Sequence, residues 1–451
     1  MSETTSQHPM PVTQEFCAHI AKLTSGDLPA KALHEGRRGV LDWLGCALAG
    51  VHHPTLDHLI GVLQEVGGRA QATVFARSLR LGLLEAPLAN GLAAHVLDFD
   101  DTHMGGVVLH TSSPVLAALF ALAERRPVGG AAFLLAYAAG FEAGVRTGQT
   151  APGHYKGGWH LTGTLGSVAA AVAGGKLLDL DAPRLTHAMG IGATQAAGMQ
   201  QNRGTMCKSL HAGRAASNGV LAALLAERGF DSSSEIIEGR RGYCRIYSDV
   251  AKPEALLDEL GTRWEITRNG HKPYACGVVL HPVIDAVIAL RTKYSIDPAT
   301  VEAIELRGHP MLLSTTGVAE PTTGLQSKFS VYHSAAVAMI DGAARIPQYR
   351  DQRALDPAVI ALRRKVVVTT DDSLGKDQAE AVVVIRGVRH RAFIPHATGT
   401  CDNPMSDAAI EAKFLDNALP VIGADRAGKV RDLVWGLERV GDMRELIALL
   451  A

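Results

Sequence analysis

The stretch TGTLGSVAAAVAGG, residues 162–175, is largely apolar and yet contains few large side chains. Its small residues, among them Gly163, Gly166 and Ala170, predict helices that pack backbone to backbone, because small side chains let two helix axes approach closely. The window falls short of the roughly 18–20 strongly apolar residues that a membrane span needs. We therefore expect a soluble protein built around closely packed helices.

The segments on both sides of this stretch continue the helical pattern, from residue 13 to about 268. In residues 112–127, SSPVLAALFALAERRP, we expect Ser112 or Ser113 to cap a helix and Pro114 to occupy its first turn. In residues 28–50 the apolar positions recur at helical spacing, and Gly50 marks the expected end of the helix. The first half of the chain therefore reads as helix after helix.

The pattern changes after residue 270. Residues 301–307 alternate apolar and polar side chains, and residues 363–371 and 380–394 are β-branched runs, the last with a strand–turn–strand signal at RGVRH. A helix is expected between them, in residues 327–342. The sequence predicts a mainly α protein with a smaller α+β domain. We expect a large all-helical domain from both chain ends (1–268 and 403–451), with an α+β domain (269–402) inserted between them.

Composition and charge narrow the class of protein. The chain has 451 residues, with 44 basic and 45 acidic side chains, so it carries no electrostatic footprint for nucleic acid. None of its six cysteines form a CxxC pair, so the sequence indicates neither a zinc ribbon nor an iron–sulfur cluster. The cysteines also lack the spacing of a disulfide framework, which favours a reducing compartment. The polar segment MSETTSQHPMPVTQEF has no hydrophobic signal core, so we expect a cytoplasmic protein without membrane partners.

Common cofactor motifs do not fit. GGKLL has Leu177 where a phosphate-binding loop needs Ser or Thr, and GIGATQ has Gln195 at the third glycine position of a dinucleotide fingerprint. DFDDTH resembles the aspartate-rich DDxxD magnesium motif but has Met104 at its last position, and the chain has neither HExxH nor GxSxG. We therefore expect no cofactor.

Five polar islands interrupt the apolar segments. Asp98 and Thr102 lie four residues apart and are expected to share one helix face, as are His160 and Thr164. Ammonium and imidazole groups recur in the islands and suit an anionic substrate with several carboxylates, whereas pairs of metal ligands are scarce. The islands are HVLDFDDTH with LHTSSP (95–103, 109–114), HYKGGWHLTGT (154–164), GTMCKSLHAG (204–213), HKPYACGVVLHP (271–282) and SKFSVYHSAA (327–336).

Taken together, these stretches resemble the MmgE/PrpD family, which contains 2-methylcitrate dehydratases, cis-aconitate decarboxylases and iminodisuccinate epimerases. The resemblance covers residues 40–420. It implies the domain organisation given above, with the inserted α+β domain as a lid, together with a homodimer and a cofactor-independent site without a metal. The matching stretches are HVLDFDDTH, HTSSPVLAALFALAE, GWHLTGTLGSVAAA, GTMCKSLHAGRAASNGVLAALLAERGF, KPYACG with HPVIDA, and PMSDAAIEAKF.

The resemblance also implies a site. Its carried-over members are Asp98, Thr102, His110, His160, Lys208 and Lys272. We expect the two lysines to bind substrate carboxylates together with Thr102, and the histidines to move protons, because histidine titrates near neutrality. His333 stands where decarboxylases and methylcitrate dehydratases of the family carry Tyr, and it is a candidate acid or base on the lid.

Several functions are compatible with this set of residues. The leading interpretation is a lyase that abstracts a proton next to a carboxylate of a branched di- or tricarboxylate, most like 2-methylcitrate dehydratase. The alternatives are an epimerase of an iminodisuccinate-like dicarboxylate and a cis-aconitate-type decarboxylase. Outside the family, a metabolite-binding protein and a metal hydrolase using Asp98, Asp101 and His103 are further alternatives.

Overall fold

The computed structural model describes residues 10–451, so the first nine residues of the polar N-terminal segment lie outside the described residues. The helices of the first half are α1 (Val12–Lys22), α2 (Ala30–Gly50), α3 (Pro54–Val66), α4 (Glu85–Val96), α5 (Ser112–Ala123), α6 (Gly130–Thr150), α7 (Leu161–Leu177), α8 (Ala182–Ala193), α9 (Cys207–Glu227) and α10 (Tyr243–Ile246). Those of the second half are α11 (His281–Tyr294), α12 (Met311–Thr316), α13 (Gly324–Ser327), α14 (Val331–Asp341), α15 (Asp351–Ala354), α16 (Pro357–Arg363), α17 (Asp407–Trp435) and α18 (Arg444–Leu450). The strands are β1 (Ala72–Val74), β2 (Leu79–Leu81), β3 (Thr102–His103), β4 (Asn269–Gly270), β5 (Val301–Gly308), β6 (Val366–Thr370), β7 (Ala379–Ile385) and β8 (Val388–Ile394).

Helix α7, which contains the small-residue stretch, packs against α5, α6, α8 and α9. A Cβ atom added at Gly166 would lie 2.8 Å from Pro114 Cγ of α5 and 3.1 Å from Ala215 Cβ of α9. One added at Gly219 of α9 would lie 2.3 Å from Ala170 Cβ. The close packing predicted for this stretch is confirmed, because larger side chains at these positions would push the helices apart.

The C-terminal helix α17 packs against α2. Phe414 lies against Gly45, where an added Cβ would be 3.1 Å from the Phe414 Cα. The buried Lys413 places its Nζ 2.7 Å from Oδ1 of the buried Asp42. The end of the chain therefore packs against the helices of the first half. No helix within residues 10–451 has the length and apolar character needed to cross a bilayer.

The second half contains a four-stranded sheet with the order β6-β5-β7-β8. Strand β5 pairs with β6 in parallel and with β7 antiparallel, and β7 and β8 form an antiparallel hairpin that turns at Arg386 and Gly387. Helix α11 packs against β7 and β8, and α14 packs between α11 and α16. The prediction of a mainly α protein with a smaller α+β part is confirmed.

Two features of the first half differ from the prediction. Two short antiparallel pairs, β1–β2 and β3–β4, interrupt the helices. Asp98 and Thr102 do not share a helix face, because α4 ends at Val96 and Thr102 lies in β3. Asp98 has φ +50°, in the left-handed region, which turns the chain out of the helix and which Asp tolerates better than most residues.

Candidate active site

A cavity of about 380 Å³ lies where the two halves of the chain meet, a typical size for a site that binds a small molecule. One wall comes from the loop that follows α4 and from the N-terminal ends of α7 and α9. The opposite side comes from residues 272–281, from Met311, Thr315 and Phe329, and from segments 376–377 and 397–402. Six of the seven predicted site residues line this cavity: Asp98, Thr102, His110, His160, Lys208 and Lys272.

Two lysines converge on the carboxylate of Asp98. Lys272 Nζ lies 2.6 Å from Asp98 Oδ1 and also donates to the Asp98 backbone oxygen at 3.0 Å. Lys208 Nζ, from the first turn of α9, lies 3.1 Å from the same Oδ1. Two ammonium groups around one carboxylate leave a net positive charge, which favours an anionic ligand.

The charges of this trio follow from its surroundings. Burial raises the pKa of Asp98, but the ammonium groups of Lys208 and Lys272 outweigh burial and hold that pKa well below its usual value. Burial lowers the pKa of Lys208, and Asp98 opposes that shift. For Lys272 the carboxylates of Asp98 and Asp100 outweigh burial, so its pKa is raised. Asp98 is therefore ionised, and Lys272 is a stable cation at neutral pH.

His110 is held by its Nδ1 atom. That nitrogen lies 2.7 Å from the backbone oxygen of Asp101 and 3.0 Å from Thr102 Oγ1. A carbonyl oxygen only accepts, so Nδ1 carries the proton, and the lone pair of the neutral ring is on Nε2. Burial, followed by the charge of Lys272, holds the pKa of His110 well below its usual value. The free protein therefore presents a neutral imidazole base here.

His160 lies on the same side of the cavity, immediately before α7. Its Nδ1 is 2.9 Å from Nδ1 of His211, which lies on the second turn of α9. Burial and the Lys208 charge hold the pKa of His160 well below its usual value. The ring of His95, fixed by Asp100 through a 2.9 Å contact, stacks 5.6 Å from the His160 ring. Three neutral imidazoles thus stand together beside the lysines.

His333 does not line the cavity. Its Nε2 contacts the backbone oxygen of Gln348 at 2.8 Å, and its ring packs against Tyr349. Because His333 lies on α14 and is buried against this neighbouring loop, the arrangement does not support a role as acid or base. The cavity instead presents a tyrosine from the other half of the chain, Tyr155.

Tyr155 and Arg203 form a polar pair on the cavity wall that sequence reasoning missed. Arg203 Nη2 donates to the Tyr155 hydroxyl at 2.7 Å and to Gln200 Oε1 at 2.8 Å. Both partners are neutral, so the guanidinium keeps its full charge for a ligand. Tyr155 belongs to the polar island HYKGGWHLTGT, which could have pointed to it. Arg203 lies in an irregular segment, where no periodicity predicts which way a side chain points.

Other missed residues lie behind the cavity wall. Lys328 donates to the backbone oxygens of Leu97 at 2.7 Å and Ala275 at 2.8 Å, and burial lowers its pKa to about 8. Ser112 and Ser113, expected as helix caps, instead donate to Asp101 and Asp100. Asp100 and Asp101 therefore hold the loop in place from behind.

The hydrolase alternative required Asp98, Asp101 and His103 to share a metal, and the structure does not bring them together. His103 contacts Val107 and Glu265, whereas Asp101 accepts hydrogen bonds from Ser112 and Asn269. A different set, His95, His110 and His160, places one ring nitrogen each within 4.8 Å of one another and could hold a cation. A second set, Asp98, Asp100 and His110, is spaced as closely, but Asp98 is already paired with Lys208 and Lys272.

His271, next to Lys272 in the chain, is buried beside two carboxylates. Its ring lies 3.4 Å from Asp42 Oδ2 and 3.6 Å from Glu35 Oε2. Burial lowers its pKa, but the two carboxylates outweigh burial and raise it to about 9. The raised pKa stabilises the fold fully below pH 6.5, the unfolded value, and this stabilisation is lost as pH rises through about 9.

We expect this ion-paired histidine to contribute on the order of 3 kcal/mol to the free energy of unfolding at low pH. Urea denaturation at pH 6.5 and at about pH 10 should show the wild type losing more stability than a His271→Gln variant over that interval. Equal losses in the two proteins would show that His271 is not charged in the fold.

A mainly helical fold with a cavity lined by ammonium and imidazole groups is typical of an enzyme that acts on a small anionic molecule. Comparison with known families gives the particular one. Residues 14–256 match the MmgE/PrpD N-terminal domain, and residues 274–439 match the MmgE/PrpD C-terminal domain. The chain therefore belongs to the MmgE/PrpD family, which confirms the resemblance, and it is a lyase of that family.

Its relatives include cis-aconitate decarboxylases. A cis-aconitate decarboxylase-like protein of Aspergillus oryzae is 28% identical over 98% of this chain and 97% of its own. The cis-aconitate decarboxylase of Aspergillus terreus is 28% identical, with 97% and 96% covered. The human cis-aconitate decarboxylase is 25% identical, with 97% and 94% covered.

Proposed function

We propose that this protein is a cofactor-independent decarboxylase of an unsaturated tricarboxylate of the cis-aconitate type. The observation that carries the proposal is the Asp98 carboxylate held between two ammonium groups beside neutral His110 and His160. The names of the relatives favour this alternative over the dehydration of 2-methylcitrate, which the sequence analysis placed first.

Decarboxylation needs positively charged groups beside the substrate and one proton. When the bond to the departing carboxylate breaks, its electron pair forms a new double bond, and the pair of the existing double bond moves to the carbon beside another carboxylate. That carbon then takes one proton, so the tricarboxylate and one proton give CO₂ and a dicarboxylate. Lys208 and Lys272 stabilise the enediolate-like charge that develops, which is a major source of rate enhancement.

The histidines supply the proton, and their pKa values change when the charged substrate binds. A bound carboxylate raises the pKa of a neighbouring imidazole, because an opposite charge favours the protonated form. We assign His110, with its Nε2 lone pair free, as the group that takes up a proton when the acid binds and then donates a hydrogen bond to a carboxylate. We assign His160 as the acid that protonates the carbon.

Arg203 is placed to bind a carboxylate that does not react. Lys208 and Lys272 serve the reacting end, while the Arg203 guanidinium, bonded only to Tyr155 and Gln200, lies on the wall of the same cavity. A guanidinium binds a carboxylate through two parallel hydrogen bonds. We therefore assign Arg203 to recognition of the third carboxylate.

Replacing Arg203 with glutamine should raise KM for cis-aconitate about 30-fold, since a hydrogen bond to a charged group contributes roughly 1.5–3 kcal/mol. Because the reacting end is untouched, kcat should fall less than about threefold. Steady-state kinetics measure both, with Gln200→Glu as a partner variant that supplies an internal carboxylate and should raise KM in the same direction. An unchanged KM in Arg203→Gln would remove Arg203 from substrate binding.

Proton NMR of the EDTA-treated protein in D₂O tests the reaction itself. Incubation with cis-aconitate should give new vinylidene signals together with CO₂. A vinyl signal from 2-methylcitrate without CO₂ would indicate a dehydratase instead, and loss of an α-proton signal from a substituted succinate without a new product would indicate an epimerase. The homodimer and the cytoplasmic location also belong to the proposal, and light scattering after gel filtration tests the former.

A further inference from the structure

The pair formed by His160 and His211 joins two separate pockets. His160 lines the reaction cavity, and its Nδ1 meets Nδ1 of His211 at 2.9 Å. His211 in turn lines a second pocket of about 460 Å³ that does not include the lysines or Asp98. The two rings, 5.1 Å apart between centroids, are therefore the shared wall between the cavity and this outer pocket.

The outer pocket is open to water. Its rim includes Met199, which is 62% exposed, and Leu210, which is 36% exposed, and Arg214 is exposed beside them. By contrast, His160 is only 8% exposed, and Lys272 at the far side of the reaction cavity is 1% exposed. His211 thus stands between solvent and a buried acid.

We propose that His211 relays protons from the outer pocket to His160. In the productive arrangement His211 donates its Nδ1 proton to Nδ1 of His160, and His160 gives its Nε2 proton to the carbon of the substrate. The vacated His211 ring takes one proton from water at Nε2. One proton enters from solvent and one C–H bond forms, so atoms and charge balance, and after product release the two rings return to their starting tautomers without net proton transfer.

The relay rests on the proposed function, because each decarboxylation consumes one proton that has to reach the buried ring of His160. With Nδ1 of His110 committed to the carbonyl of Asp101, and with Nδ1 of His95 committed to Asp100, those rings have no comparable partner on the outer pocket. His211 is accordingly a positioning and relay residue that acts through His160, not a group that touches the substrate.

Activity and chemical rescue test the relay in the full-length protein. His211→Ala should lower kcat for cis-aconitate about 10²-fold with little change in KM, and added imidazole, which fits the vacated space, should restore much of the rate. His211→Gln should be slow and not rescued. Arg214→Gln, on the same outer pocket, should behave as the wild type. A His211→Ala variant with normal kcat would overturn the relay.

A second measurement does not depend on the substrate. In ¹⁵N-histidine-labelled protein without ligand, exchange of the His160 ring N–H with solvent should be about tenfold slower in His211→Gln than in the wild type. Equal exchange rates would overturn the relay. If the wild type turns over none of the acids but exchange slows as expected, the proposed function fails and the proton route stands.

Discussion

Replacing Lys272 with methionine should lower kcat/KM for cis-aconitate by about 10³-fold, at the upper end of what a single electrostatic stabiliser contributes. The ammonium lies 2.6 Å from Asp98 and has the raised pKa of a permanent cation, so its loss removes charge from the point where the enediolate forms. The methionine keeps most of the volume, which limits the cavity left behind. Steady-state kinetics with cis-aconitate measure the loss.

Removing one partner of a buried ion pair also destabilises the fold, by about 3–5 kcal/mol, so a stability control is needed. Arg146→Met provides it. Arg146 is fully buried, its Nε lies 2.6 Å from Glu142, and it does not line the cavity. We expect Arg146→Met to lose comparable stability and keep its activity. If Lys272→Met stays within tenfold of wild type while folded, Lys272 is structural.

The helices were the part of the fold that the sequence predicted best. Small residues in α7 repeat at helical spacing, and the structure shows why they must be small, since Gly166 and Gly219 face neighbouring helices at contact distance. The strands of the second half were also predictable, because apolar and polar residues alternate in one of them, β-branched runs mark the others, and the turn at Arg386 and Gly387 is local. Both signals lie within 14 or 15 consecutive residues, 162–175 and 380–394.

The conformation of the loop that forms the site could not be predicted in this way. Asp98 was expected on a helix face, but its left-handed backbone and its two lysine partners depend on residues 110 and 174 positions away in the chain. Periodicity carries no information about such long-range ion pairs. The family resemblance identified the individual site residues, whereas the residue types of the polar islands indicated only that the site binds an anion.

Two residues show the limits of carrying a site over by position. His333 occupies the aligned place on α14, yet its ring is committed to the backbone of Gln348 and does not line the cavity. Arg203 comes from an irregular segment and does line it. Which side chains face a cavity is decided by how packed elements meet, and an aligned position does not fix that.

Replacing His110 with glutamine should lower kcat about 10²-fold, because a hydrogen bond from a charged donor to a carboxylate contributes roughly 1.5–3 kcal/mol. Glutamine can still bond to the Asp101 carbonyl but offers no ring nitrogen that takes up a proton when the acid binds.

The matched control is His154→Gln. His154 is also buried and neutral, with a pKa lowered by burial to about 4, but it packs against Tyr247 and does not line the cavity. A stopped-flow pH-indicator assay that resolves binding from turnover should record proton uptake on substrate binding in the wild type and His154→Gln, but reduced uptake in His110→Gln. If His110→Gln keeps both normal kcat and normal uptake, the proton is held by His160 alone, and His110 serves only to hold the loop through Asp101 and Thr102.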